Sequence, residues 1–254
     1  MSNTNISKKA KIGNNVSLHS MAIIEDDVEI GDNVTIGANV LIANGARISN
    51  DVKIHHGAVI STQPQDLKFG GEVTTLEIGE GTVVREYATL NRGTNHSKKS
   101  VIGKNCFLMA YIHVAHDCKL GDNVILANGV QMGGHVEIGD WAIIGGLVPI
   151  HQFTKIGMHT MIGGGFRTVK DVPPYTIVGG IPLRYEGVNN VGLKRRGFSN
   201  EQLDNIKKVY DAIYHSGLNV SDAVKKINET FEITEEVKNI LDFIQLSNRG
   251  IVRG

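Results

Sequence analysis

Large rings and proline are scarce in this chain: aromatic residues make up 6% of its 254 positions, and there are 5 prolines. A core assembled from small and aliphatic side chains follows. Charge bias is also missing. Lysine plus arginine number 26, and aspartate plus glutamate number 26, so no global field selects nucleic acid or an anionic membrane. No run approaches the ~18 apolar residues of a membrane span, and Met1–Gly13 has no apolar core of a signal peptide. The expectation is a cytoplasmic protein without stable membrane insertion and without a nucleic-acid partner. Two cysteines, Cys106 and Cys118, do not make a disulfide framework.

Glycine, at 30 residues, is abundant. The reason emerges on counting in sixes. Positions divisible by six read Ile6, Ile12, Leu18, Ile24, Ile30, Ile36, Ile42, Ile48, Ile54 and Ile60. The series resumes at Ile78, Val84 and Leu90, and again from Ile102 through Leu108, Val114, Leu120 and Leu126 to Ile162. Two residues before these aliphatics stand small or β-branched side chains such as Val16, Val34, Val52, Cys106, Cys118 and Val124, and one residue after them glycine is frequent, as at Gly13, Gly31, Gly103 and Gly121.

Neither a helix nor simple alternation keeps one residue class at every sixth place. The physical reading is a three-sided coil, with three hexads, about 18 residues, closing one turn of a parallel β-helix. The aliphatic points inward, the small residue fills the crowded edge, and glycine is expected to accommodate the corner. The pattern resembles the left-handed β-helix of hexapeptide-repeat proteins, an exception to the usual right-handed crossover. Both cysteines fall on small-residue positions, which favours core packing over a reactive thiol.

Two stretches, about 61–76 and 91–100, keep the count of six but break the aliphatic rule at Asp66, Glu72 and His96. They are expected to leave the coil as loops, and loops on a rigid scaffold commonly carry function. After Thr168 the hexad fades. Ser199 with Gln202 fits a capping box, followed by one apolar face of Leu203, Ile206, Tyr210 and Ile213, with Gly217 ending that helix. Ser221 and Thr234 mark two further starts. The fold class expected is therefore mainly β: residues 1–186 as a left-handed parallel β-helix and 187–254 as a small helical domain.

His116, His135 and His151 lie on successive coils within about a residue of the same phase, and coils stack at ~4.8 Å. Three readings stand side by side. The histidines are a hydrogen-bonded stack without chemistry; or His113, His116 and His135 ligate zinc, across a subunit boundary; or one is a general base while the others bind substrate. For Lys194-Arg195-Arg196 an ordinary charged approach to a helix competes with anion binding, and for Gly134 a plain corner glycine competes with a catalytic amide.

The motifs Gln65-Asp66-Leu67-Lys68, His113-Val114-Ala115-His116-Asp117-Cys118, Gly134-His135, His151-Gln152-Phe153, Asp171-Val172-Pro173-Pro174-Tyr175 and Gly192-Leu193-Lys194-Arg195-Arg196-Gly197-Phe198 together resemble the acyl-carrier-protein–UDP-N-acetylglucosamine O-acyltransferases. These enzymes begin lipid A synthesis. The resemblance implies a homotrimer that moves an (R)-3-hydroxyacyl chain from acyl carrier protein to the glucosamine 3-hydroxyl. The thioester is already activated, so no metal or other cofactor is needed.

The same resemblance implies residue roles. The catalytic set is His116 as base, Asp117 orienting it and Gly134 giving its amide to the oxyanion. Asp66, Lys68, His113, His135, His151, Gln152, Asn189, Arg195 and Arg196 bind substrate, and Gly164 acts as the acyl-chain ruler with Phe166 nearby. The pairing of His116 with Asp117 requires a corner between them, because neighbouring strand residues face opposite ways.

Two positions depart from the family pattern. Asn91 stands where a histidine is usual, altering an expected phosphate contact, and Val191 stands where an acidic residue often follows Asn189. Three rivals remain. One is a zinc hydratase resembling the γ-class carbonic anhydrases, and another is a non-enzymatic binding scaffold. The third is the sister N-acyltransferase, which usually carries a separate domain ahead of coils that here begin by Ile6.

Overall fold

A computed structural model describes residues 4–254. The hexads form short parallel strands in three sheets of eight, eight and ten strands. Register confirms the coil length: Ile24 pairs with Ile42, Ile30 with Ile48 and Ile36 with Ile54, each 18 residues apart. The resulting three-sided β-helix encloses one continuous stack of Ile, Leu and Val that includes Ile36, Ile54, Leu90, Leu108, Val114, Leu126 and Ile144, all inaccessible or nearly so. Each such burial contributes roughly 1.5–3 kcal/mol, and the narrow lumen explains the shortage of rings. Cys106 and Cys118 are part of this core. Burial pushes their thiols up to about 11 and about 12, which keeps them protonated and inert.

The repeat glycines do not turn the corners. The left-handed residue of each corner comes two places later; it is Asn at Asn33, Asn105 and Asn123, with φ of 58°, 52° and 58°, and glycine at others such as Gly57 and Gly129. The short asparagine side chain tolerates that conformation. Glycine is needed instead because coils stack backbone on backbone: a Cβ on Gly103 would lie 2.2 Å from the carbonyl oxygen of Gly121.

The two interruptions are narrower than the hexad count suggests. The first lies between strands Val59–Thr62 and Thr75–Ile78, the second between Thr89–Asn91 and Lys99–Ile102. Leu76 is not in the loop. It fills the small-residue place two before Ile78, fully buried and paired with Ala46. Across the interruptions, partners are 30 residues apart (Ile60 with Leu90) and 24 apart (Ile78 with Ile102), so the excursions consume whole hexads and the coil resumes in phase.

A strand over Thr176–Gly179 ends the coil and turns into an antiparallel partner, Arg184–Val188. Four helices follow: α1 (Asn190–Arg195), α2 (Asn200–Tyr214), α3 (Val220–Thr230) and α4 (Glu235–Gln245). The Ser199–Gln202 capping box is formed in full at α2, and that helix ends at Tyr214, before Gly217. Helix α3 starts one residue ahead of Ser221, because the Asn219 side chain accepts from the Asp222 amide and is the better cap. Thr234 precedes α4 without forming a side-chain cap bond. The last residues return to the coil: Ile251 bridges Asp171, Arg253 bridges Arg184, and Val252 joins the β-helix core. Tyr210, fully buried, donates its hydroxyl hydrogen to the Pro174 carbonyl at 2.5 Å and locks α2 onto the last coil.

Candidate active site

The corner between strands His113–Val114 and Lys119–Leu120 carries His116 and Asp117. Asp117 is that corner's left-handed residue, with φ of 58°. The turn brings two neighbouring side chains to one side, and His116 Nδ1 lies 2.8 Å from Asp117 Oδ2. The Asp117 side chain is fully buried.

Loop 92–98 folds back over this corner and supplies the rest of the carboxylate's partners. The Thr94 amide donates to Oδ1 at 3.0 Å and the Thr94 hydroxyl to Oδ2 at 2.7 Å. The Ser97 amide donates to Oδ1 at 3.2 Å, and its hydroxyl also contacts Oδ1. Burial alone would raise the pKa of this acid. The donors from Ser97, Thr94 and His116 overcome it and hold the carboxyl well below the usual carboxylate range. Because the folded value is depressed, the associated stability is present above the ordinary carboxylate pKa of ~3.9 and is lost only as pH falls below it. Asp117 is an anion throughout the neutral range.

His135, one coil beyond, sits edge-on to His116 with ring centres 5.1 Å apart, and its Nε2 is 3.8 Å from Asp117 Oδ2. Burial lowers the His135 pKa, opposed by the negative charge of Asp117, and Asp66 in the first loop adds a smaller opposing contribution. In the first loop Lys68 is exposed and gives its amide to Asp66 Oδ1 at 3.0 Å. His96, from the second loop, packs edge-on against His135 at 4.7 Å. His113 is held by the Thr89 hydroxyl at 2.7 Å from Nδ1, and burial, then the nearby His116, lowers its pKa.

Gly134 follows His116 by one coil. A Cβ there would stand 2.5 Å from His116 Cε1 and 2.7 Å from Nε2, so the imidazole packs on bare backbone. The amide of Gly134 has no acceptor among the described residues. Gln152 lies a further coil along and is exposed.

The histidine column differs from its expected form at the third member. Phe153, 18 residues after His135, stacks on it at 4.3 Å with an interplanar angle of 5°. His151 is two residues out of phase and turns its Nδ1 to the Gln152 carbonyl oxygen at 3.0 Å. The cluster opens into a cleft of about 710 Å³ whose walls include Lys99, Lys119, Lys155 and Arg249.

The expected nucleotide residues collect on another corner. Asn189 is 3% exposed, and its amide donates to the His159 carbonyl at 2.9 Å while its oxygen accepts from Gly192 at 3.2 Å. The Asn189 oxygen caps α1, and its nitrogen ties that cap to the coil. Arg196 lies 5.1 Å over the Trp141 ring and 3.2 Å from His159 Nδ1. Burial, with Arg196 second, pulls His159 down to about 4. Arg195 is exposed, as is Val191. Asn91 is 2% exposed and cannot meet a phosphate directly; it ties the root of the first loop by donating to Thr62 Oγ1 at 2.9 Å and the Gln63 carbonyl at 3.1 Å. Gly164 is exposed, with only Gly146 close to where a Cβ would stand, and the Phe166 ring packs over Gly163 instead.

His116, Asp117 and His135 also lie close enough to share a metal ion. The carboxylate argues otherwise: its two oxygens already face five donors, about one more than their lone pairs can accept. A metal ligand at Asp117 would have to displace the loop.

A family description, Udp N-acetylglucosamine O-acyltransferase, domain 2, matches residues 171–252. Bacterial transferase hexapeptide repeats match residues 9–44 and 99–134. A Thiobacillus denitrificans protein named acyl-[acyl-carrier-protein]–UDP-N-acetylglucosamine O-acyltransferase is 40% identical over 201 residues, 79% of this chain and 78% of its own length. The crystal structure of a UDP-N-acetylglucosamine acyltransferase from Bacteroides fragilis is 47% identical, with a TM-score of 0.97 over 98% of each chain. That from Campylobacter jejuni is 34% identical, with a TM-score of 0.93 over all of this chain and 99% of the other. The hexapeptide match and these structures fit the left-handed coil expected from the repeat.

Proposed function

On the premise that the chain belongs to the acyl-[acyl-carrier-protein]–UDP-N-acetylglucosamine O-acyltransferase family, we propose that it transfers a 3-hydroxyacyl chain from acyl carrier protein to the glucosamine 3-hydroxyl of UDP-N-acetylglucosamine, the first step of lipid A biosynthesis, with His116 as the base. The observation that carries this reading is the His116–Asp117 pair beneath the Gly134 backbone. An anionic Asp117 at 2.8 Å places the imidazole hydrogen on Nδ1 and leaves Nε2 with its lone pair.

In the reaction, Nε2 takes the hydroxyl proton as the sugar oxygen bonds to the thioester carbon. Negative charge develops on the thioester oxygen, where the unengaged Gly134 amide is the available donor. Collapse breaks the carbon–sulfur bond, and the leaving thiolate takes the proton back from the imidazolium. Asp117 touches no reacting atom; it orients His116 and stabilises its charged form.

The separation of the two clusters supports a homotrimer. Within one chain His116 and Arg196 belong to different corners, so a site that uses both is completed by a neighbouring copy. His113, His135, Gln152, Asp66 and Lys68 line or approach the His116 corner and suit the sugar and diphosphate. Arg196, half-buried against Trp141, suits the nucleotide end, where guanidinium recognition of phosphate is strong. Among the described residues no helix is long and apolar enough to cross a membrane, and the soluble carrier-protein donor fits a cytoplasmic reaction.

The test is transfer from a panel of 3-hydroxyacyl carrier proteins to UDP-N-acetylglucosamine; no transfer from any donor removes the proposal. Gly164 gives the same assay a second use. A Cβ there would stand 3.1 Å from the Gly146 carbonyl oxygen, so Gly164→Met asks that backbone to give slightly, while the rest of the side chain projects from an exposed position. The variant is expected to move the preferred donor to a shorter chain by about tenfold or more in relative kcat/KM, the scale of a blocked apolar pocket. An unchanged chain-length profile would remove Gly164 as the ruler.

A further inference from the structure

Loop 92–98 breaks the repeat, adds one hexad to its coil and returns in phase, and its His96 and Ser97 form part of the cleft wall. It also surrounds Asp117. Thr94, 8% exposed, makes two of the contacts and is the one residue that places a donor on each carboxylate oxygen. Its hydroxyl also accepts from the His96 amide at 3.2 Å, so its single hydrogen is directed to Asp117 Oδ2. Ser97 also gives two donors, both to Oδ1, and its hydroxyl has a second acceptor in reach, the Lys99 carbonyl at 2.7 Å.

A neutral carboxylic acid carries a hydrogen on one oxygen and would set it against one of these donors. The loop therefore selects the anion. It also fixes where that anion points, leaving the remaining capacity of Oδ2 directed at His116 Nδ1.

We propose that Thr94 is a positioning residue which, through Asp117, fixes the tautomer and orientation of His116. The proposal rests on His116 being the base. Thr94 is buried behind the carboxylate and acts only through it, so its loss lowers turnover while leaving sugar-nucleotide affinity alone.

Thr94→Val keeps the shape and removes the hydroxyl. Losing a buried hydrogen bond to a charged group predicts a fall in kcat of roughly 10- to 100-fold, with KM for UDP-N-acetylglucosamine unchanged, and Thr94→Ser restores kcat. In a His116→Ala background the valine substitution adds no further loss, since both act through one group. Nitrogen-15 spectra of the histidine rings read the tautomer without substrate: the native protein shows His116 protonated at Nδ1, and Thr94→Val shows a mixture. Thr94→Ala carries the same test in case the valine variant does not fold.

Loss of the tautomer preference in a protein that transfers no acyl group would support the positioning role while refuting the acyltransfer reading. An unchanged tautomer in a variant that folds, a raised KM with kcat intact, or a Thr94→Ser variant as slow as Thr94→Val would overturn the proposal.

Discussion

Replacing His116 with alanine is expected to reduce acyl transfer by ~100-fold or more, the scale of a positioned general base, while the melting temperature moves by only a few degrees. The two halves of this prediction come from the same geometry. The ring lies on the surface of the coil, outside the stack of inward Ile, Leu and Val side chains, and its side chain is 12% exposed. Its removal takes one donor from Asp117 but leaves the Thr94 and Ser97 donors in place, so no buried charge is stranded. Kinetics of the purified variant beside a thermal melt check both halves. Wild-type turnover in the variant would take His116 out of the mechanism, and a collapsed melt would make it a structural histidine.

Gly134→Ala is expected to reach a comparable loss, on the order of 100-fold in kcat, by a different route. The added methyl group would occupy space 2.5 Å from His116 Cε1. The ring has to swing away, since the coil backbone on which Gly134 sits is fixed by stacking on both sides: the His135 amide donates to the His116 carbonyl and the Phe153 amide to the Gly134 carbonyl, each at 3.0 Å. The displaced ring loses its alignment on Asp117, and the methyl also covers the approach to the Gly134 amide. A structure of the variant with an undisturbed His116 ring, or full activity, would show that the close approach is incidental.

The fold was legible because a β-helix writes its register directly into the sequence. A period of six with a repeat of three fixes which residues stack, and the 18-residue spacing between Ile30 and Ile48 follows from it directly. The corners were less so: glycine frequency suggested turning, whereas at Gly103 the reason for glycine is coil-to-coil contact.

The same arithmetic placed His116 and His135 together. It erred on His151, since a shift of two residues moves a side chain around the corner, and Phe153, at the full 18-residue interval, takes the stacking place. What periodicity could not reach was loop 92–98. In the sequence His96 is only a break in the aliphatic rule, and nothing there ties Thr94 or Ser97 to Asp117. Their contacts with Asp117 span 23 and 20 residues and depend on how the chain leaves and re-enters the coil. Asn189 has a structural role that its motif does not reveal, because its oxygen caps α1 and its nitrogen holds the His159 carbonyl.

The most direct test of the account is to determine where the acyl group goes. Purified wild type and His116→Ala would be incubated with UDP-N-acetylglucosamine and 3-hydroxyacyl carrier protein, and the product's linkage read by mass spectrometry and NMR. An ester on the glucosamine 3-oxygen, formed by wild type and reduced ~100-fold or more in the variant, is the predicted result. No acylated sugar nucleotide, an ester at another hydroxyl, or equal product from both proteins would contradict it.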